Sequence, residues 1–386
     1  MSVECVAALP DRIDSAAENR RFRFDLATPA DNEDLLKFST QADMSGAIRF
    51  SFDRSPDYFA ALRVEGRHTE VLVSRELETG RVAATGQRSV KNAFVNGTAT
   101  TIGYLSGLRV GQPARSALFL SRGYARLNEL QARHPAPFHL TTIMEDNAPA
   151  QKVLLSQRLG LPTYHDLGRF CCVALSLLGK SHGRSSRFTL RRATVADAVS
   201  VVEFLNREGR TKQFFPEYRV EDFGSPGGLL PHLGWQDVFL AFDGPTLVGT
   251  LAAWDQQIFR RWRVTGYAPW LGWSRQLLNL VAKLRRMPLL PSPGSSLNVF
   301  NLALVCVRDN DRNVFKALLD EVIRAQQGRY ECFLAGLHER DPLLPELLER
   351  LHVPLNSRLY LVDWENGNRA VEKLDKRVPY LELGSL

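Results

Sequence analysis

Hydrophobic and polar positions alternate along short runs in this chain, and one succession of runs occurs twice. Residues 22–38 read FRFDLATPADNEDLLKF and residues 188–204 read FTLRRATVADAVSVVEF. Ala27, Thr28, Ala30 and Asp31 recur at a constant offset as Ala193, Thr194, Ala196 and Asp197, and Phe22/Phe188 and Phe38/Phe204 match too. Each copy predicts a short strand, a turn and an amphipathic helix. The threonine is placed to cap that helix, and the aspartate in its first turn suits the dipole. Further on, an acid-plus-glycine turn opens a central strand in both copies, at Glu78-Thr79-Gly80 and Asp243-Gly244. Apolar strands over 101–110 and 302–307 are each followed, five residues past the last valine, by an arginine (Arg115, Arg312) that opens a helical pattern. Strands over 138–144 and 330–337 come next, ending in Glu145-Asp146-Asn147-Ala148-Pro149 and Glu339-Arg340-Asp341-Pro342. Five features in one order, met twice, predict a duplicated α/β (α+β) unit.

The order predicts an extension over 1–20, a first domain over 21–178, a polar linker over 179–187 and a second domain over 188–386. The second copy carries an insertion at 268–296, with Trp270 and Trp273 at its start and Lys283, Arg285 and Arg286 further on. A basic amphipathic helix of this kind serves at membrane surfaces or in peptide grooves, but more often packs its apolar face on the parent domain. Packing is the expectation here.

Composition narrows the class. The chain has 386 residues, too many for one ordinary core, and 44% hydrophobic with 24% charged residues is globular usage. A net charge of +7 favours anionic partners without choosing among a nucleotide cofactor, a nucleic acid and a lipid surface. Five cysteines, Cys5, Cys171, Cys172, Cys306 and Cys332, form no CxxC spacing and no even disulfide set, so a reducing, cytoplasmic setting is expected. Acidic residues precede any apolar run that would act as a signal peptide. No apolar stretch reaches the ~20 residues of a membrane span, and a soluble protein is expected. His134 and His139, five apart across two prolines, are no helical metal pair, and neither G-x-S-x-G nor G-x-x-x-x-G-K-[ST] occurs.

The chemistry concentrates in TTIGYLSGLRVGQPARSALFLSRGYARLNEL, residues 100–130. A strand ending at Val110 turns through Gly111, Gln112, Pro113, Ala114, Arg115 and Ser116 into a helix. Such a turn aims free backbone N–H groups and the positive dipole end at one spot, which suits a pyrophosphate. Small residues there let phosphates approach, and Arg115 adds a charged donor.

The L-x-V-x-x-x-x-R turn before a long helix, the strand order, and Asn147-Ala148-Pro149-Ala150 opening a later helix resemble the GCN5-related N-acetyltransferase superfamily. The likeness spans 22–176 and again 188–364. It implies two tandem acyl-CoA N-acyltransferase-like domains, each with a mixed, mostly antiparallel central sheet flanked by helices. It also implies acetyl-CoA, or another acyl-CoA, as cofactor. By resemblance Leu108, Arg109 and Val110 lie along the acyl-pantetheine arm, Gln112, Ala114, Arg115, Ser116 and Ala117 hold the pyrophosphate, and Asn147 faces the pantetheine. The chain departs from the family's R-G-x-G-x-G or Q-x-x-G-x-A turn: Leu118 stands where a glycine is usual. The tyrosine common on the last helix is absent around Val153, Leu154 and Leu155. In copy two the turn Arg308-Asp309-Asn310-Asp311-Arg312 sets acids where phosphates would lie, so copy one is expected to bind the cofactor.

The implied reaction is acyl transfer to an amine on a small molecule or protein, with a base taking the amine proton and backbone N–H groups holding the oxyanion. Glu145 and Tyr164 are the catalytic candidates, with Tyr104 and His165 behind them. Arg88, Lys91 and Arg109 are candidates to meet an adenosine phosphate or an acidic substrate, but arginines exposed on hairpins usually just solvate, and exposure is the expectation. A nucleic-acid partner is not expected. Two other readings stay open: a non-catalytic scaffold with decayed sites, supported by the lost glycines, and an aminoacyl-tRNA-dependent transferase, which predicts salt-dependent RNA binding.

Overall fold

A computed structural model of the chain describes residues 21–40, 48–111, 114, 116–156, 160–177, 187–284, 289–364 and 370–386, with Ala117 described in its backbone only. The linker residues 179–186 lie outside these, as do Gln112, Pro113 and Arg115.

The first repeat contributes β1 (Phe22–Leu26), α1 (Asn32–Thr40), β2 (Ile48–Asp53), β3 (His68–Glu76), β4 (Val82–Val95), β5 (Thr98–Val110), α2 (Ala117–Glu129), β6 (His139–Met144), α3 (Ala148–Leu154) and β7 (Thr163–Ser176). The second contributes β8 (Thr189–Arg192), α4 (Ala198–Gly209), β9 (Phe223–Gly224), β10 (Leu230–Pro231), β11 (Val238–Asp243), β12 (Thr246–Trp254), β13 (Arg261–Tyr267), α5 (Pro269–Leu284), β14 (Val299–Val307), α6 (Arg312–Gln326), β15 (Cys332–His338), α7 (Leu344–Leu348), β16 (His352–Pro354) and β17 (Ser357–Asp363).

The recurring Thr/Asp pairs form capping boxes before α1 and α4. The Asp31 carboxylate accepts the Thr28 amide at 2.7 Å, and that of Asp197 accepts the Thr194 amide at 2.8 Å. Each satisfies donors a helix start would otherwise leave bare.

Thirteen of the described strands form one continuous sheet in the order β1-β3-β4-β5-β6-β17-β7-β15-β14-β12-β11-β8, with β16 beside β7, while β2 pairs with β13 and β9 with β10. Its centre is a reciprocal exchange. The last strand of the second repeat, β17, lies antiparallel to β6 of the first, and β7 lies antiparallel to β15 of the second. Each copy's sheet is thus completed by a strand from the other. An apolar cluster joins the halves across this seam, with Ile102, Tyr104 and Leu140 against Phe214, Trp262 and Leu383. Away from it, α2 covers one repeat's core and α4 and α6 the other's.

Two expectations are corrected. Arg88, Lys91 and Arg109 are buried, not exposed, because β4 and β5 are central strands covered on both faces. The insertion does form a helix, α5, but its apolar stripe faces outward. Trp273 is 90% exposed, and Leu271 is the only fully buried residue on the helix. The inward positions are taken by Arg275 and Asn279, which bond the backbone of residues 290 and 291.

Candidate functional site

Among the described residues, the only parallel neighbours in the large sheet are β5 with β6 and β14 with β15. Both pairs hold for a few residues and then splay. In the first repeat the ladder is Gly103↔His139 and Tyr104↔Leu140. The apex needs glycine, since a Cβ on Gly103 would lie 2.1 Å from the His139 ring. In the second the ladder is Val299↔Cys332, Phe300↔Phe333 and Asn301↔Leu334. Beyond each apex comes a bulge with left-handed backbone, Gly107 (φ 58°) in β5 and Leu304 (φ 52°) in β14. A threonine on the adjoining strand braces each one. The Thr85 hydroxyl donates to the Gly107 carbonyl at 3.1 Å, and the Thr250 hydroxyl to the Leu304 carbonyl at 2.9 Å. A splay with a bulge leaves backbone amides that a sheet cannot pair, which is where an added strand-like ligand bonds.

The two splays differ in what occupies them. In the second, the Leu304 amide donates to Glu382 Oε2 at 3.0 Å and the Val305 amide to the Tyr380 hydroxyl at 3.3 Å. The buried segment 379–386 fills that opening. The α6 N-terminus already has an anion: the Asp311 carboxylate accepts the Asn313 amide at 2.8 Å. Arg312 is held by Glu346, and Asp341, where the first repeat has Asn147, pairs with the buried Lys212 at 2.7 Å. In the first repeat no described side chain bonds the Gly107 or Leu108 amides. Leu108 instead borders an apolar cleft beneath α2, with Phe24, Leu72, Phe119, Tyr124 and Leu127.

The turn after β5 is partly self-satisfied. The Gly111 amide donates to Ala83, that of Ala114 to Gly111 and that of Ser116 to Ala114. Ser116 caps α2 by accepting the Phe119 amide at 3.0 Å. Asn147 caps α3 by accepting the Ala150 amide at 3.2 Å. Val110 and Arg109 are buried at the end of β5.

On the face of β4 and β5 away from α2 lies a buried polar chain that the sequence did not reveal. Ser106 donates to Glu65 Oε2 at 2.5 Å and to Gln87 Oε1 at 3.0 Å, and Gln87 bonds the Tyr58 hydroxyl. Arg260 donates to Glu65 at 2.6 Å, to the Leu386 carbonyl at 3.0 Å and to the Gly384 carbonyl at 3.3 Å. Lys91 lies in the field of this group. Burial lowers its ammonium to about 8, while Glu382 and Glu65 oppose that shift and Arg260 adds to it. Glu65 and Arg260 are 195 positions apart, so no local pattern links them. Tyr104, on the same face, shares a 3.2 Å hydrogen bond with Thr142.

Glu145 and Tyr164 are not brought together. Glu145 follows β6 and accepts from Arg169 at 2.6 Å, with Arg358 at 4.0 Å. Tyr164 pairs with Val362, six residues further along β17 than Asn356, whose carbonyl accepts the Glu145 amide. That separates them by about 20 Å of strand. The Tyr164 hydroxyl meets that of Tyr124 on α2 at 2.6 Å, and burial pushes both phenols up, Tyr124 to about 12. His165 pairs with Asp363 at 2.9 Å. Arg88, buried, donates to Glu70, Gln131, the His134 carbonyl and His139, and so ties the segment between α2 and β6 to the sheet.

The chain has the fold of the GCN5-related N-acetyltransferases. Solved structures agree. Saccharomyces cerevisiae N-myristoyltransferase with bound myristoyl-CoA is similar over 92% of this chain and 84% of its own, with a TM-score of 0.53 and 14% identity. A GCN5-related glucosamine N-acetyltransferase region in a fungal multi-domain GH3 beta-N-acetylglucosaminidase gives a TM-score of 0.56 at 13% identity, over 88% of this chain and 38% of that one. No family model matches the sequence, and no curated protein is significantly similar to it in sequence.

Proposed function

We propose that the protein is an acyl-CoA-dependent N-acyltransferase, with acetyl-CoA as the first donor to try and an amine as acceptor. One observation carries this reading: two equivalent splays, of which the second is closed by Glu382 and Tyr380 while the first keeps the Gly107 and Leu108 amides clear of side chains. The yeast N-myristoyltransferase and the fungal glucosamine N-acetyltransferase region support acyl-CoA chemistry in such a fold. In this reading Leu108, Arg109 and Val110 line the pantetheine arm. Gln112, Ala114, Arg115, Ser116 and Ala117 take the phosphates, and Asn147 sits at the neighbouring strand end. The acceptor nitrogen attacks the thioester carbonyl, the C–S bond breaks, the CoA thiolate leaves, and the amine's proton passes to a base. The Gly107 region supplies N–H groups for the oxyanion. Lys91 and Tyr104 serve the acceptor face, Glu145 the open end of the splay and Tyr164 the α2 side. The second repeat shapes the acceptor side through Arg260 and segment 379–386.

Titration calorimetry with acetyl-CoA and, separately, myristoyl-CoA tests this. One site per chain, weakened at least about tenfold by Gly107→Val, is expected. No heat with either donor would favour the scaffold reading instead.

A further inference from the structure

We infer that α5 is a docking element for the surface of an anionic phospholipid bilayer. The helix is built inside out. At about 100° per residue, Trp270, Trp273, Leu277, Leu280, Val281 and Leu284 fall within an arc of about 100°. That stripe points away from the protein: Trp273 is 90%, Leu284 78% and Leu277 66% exposed. Seven of the eighteen large apolar side chains exposed among the described residues lie on this one helix.

The opposite face is the one that is anchored. Leu271 packs with Val264 and Tyr267, while Asn279 both donates to and accepts from the backbone of Leu290. Arg275 donates to the Leu290 and Pro291 carbonyls, and the Tyr267 hydroxyl donates to Pro291 at 2.6 Å. Rolling the stripe inward would break these part-buried bonds. Outward presentation is therefore held in place by the fold.

Charge and composition choose the occupant. Residues 268–296 contain four basic residues and no acid, within a chain of net charge +7. Lys283, near the far end of α5, and Arg49, stacked over Gly266 at its near end, are both exposed. Among the described residues neither pairs with a carboxylate. Cations flanking an aliphatic stripe that opens with two tryptophans match the layered chemistry of a bilayer interface: phosphate outside, acyl chain beneath, indole at the boundary. The helix has 16 residues, about 24 Å, and no described helix is long and apolar enough to cross a membrane. It would lie on the surface, not span it. A protein partner of this basic helix would need an acidic apolar groove, for which nothing in the chain argues.

The test is co-sedimentation of the full chain with vesicles of phosphatidylcholine alone and of phosphatidylcholine mixed with phosphatidylglycerol. Binding to the mixed vesicles, much weaker on the neutral ones and reduced by salt, is expected. The double variant Trp270→Ser/Trp273→Ser should weaken it at least about tenfold, and Lys283→Glu at least about fivefold. Leu277→Asp should act like the double variant. All four side chains are exposed, so an unchanged thermal transition is the control for folding. Absence of vesicle binding, or binding that the double variant leaves intact, overturns the inference. Self-association in sedimentation velocity that the double variant abolishes, without vesicle binding, would overturn it in favour of a second copy of the chain.

Discussion

Glu382 Oε2 accepts the backbone amide of Leu304 at 3.0 Å, at the point where the equivalent bulge of the first repeat presents Gly107. The same carboxylate accepts from the hydroxyls of Tyr380 at 2.9 Å and Tyr218 at 3.2 Å. It is buried, which raises its proton affinity, and these three donors counter that effect. Leu304 holds a left-handed backbone that side-chain-bearing residues seldom adopt, so the closure also secures a strained turn.

Removing that carboxylate strands three buried donors. Glu382→Ala is expected to destabilise the protein by about 2–4 kcal/mol, and Glu382→Gln, which keeps an acceptor, by about half as much. Urea denaturation at neutral pH measures both. A loss within ~0.5 kcal/mol for the alanine variant would show that the closure is not structural.

The first bulge cannot accept a side chain. Gly107 has φ 58°, and a Cβ there would sit 2.4 Å from the Gln87 carboxamide. Gly107→Ala should cost about 1–3 kcal/mol and weaken acyl-CoA binding, because Gln87 must move and pulls on Ser106 and Glu65. Binding unaffected by this change would place the cofactor elsewhere.

Stability should fall on mild acidification through His139. Its imidazole, buried and facing Arg88, is pushed down to about 3, first by burial and then by that guanidinium. Between about 6.5 and 3 the unfolded chain takes up a proton there that the folded chain refuses, so stability declines as pH falls, by up to about 1.4 kcal/mol per pH unit. His139→Gln retains an acceptor for Arg88 and should flatten the difference in melting temperature between pH 6.5 and pH 4.5. Equal slopes for both proteins would exclude this origin.

In the proposed reaction Lys91 stands on the acceptor face, and burial brings its ammonium to about 8. Acyl transfer should therefore rise with pH through an apparent value near 8, and Lys91→Met should abolish that limb and slow turnover by about 10²-fold or more. Glu145→Gln should change the rate less than about threefold, because its carboxylate is already engaged by Arg169. A larger effect from Glu145 than from Lys91 would reverse the assignment.

The sequence by itself determined the recurring order of elements and much of their local form. The capping boxes at Thr28/Asp31 and Thr194/Asp197, the alternating strands and the strand-to-helix turns are all written within a few neighbouring residues. Of the acids at the turn before Arg312, Asp311 occupies its helix start, as an acid just before a helix is placed to do. Only the tertiary structure decided which strands complete which sheet, since β17 and β7 change places between repeats and pairing partners leave no local trace. It also joined Glu65 to Arg260, buried Arg88 in a central strand that reads like an exposed hairpin, and turned the stripe of α5 outward. The reason is common to all of these. Periodicity reports which residues share a face, whereas burial of that face depends on what the rest of the chain brings against it.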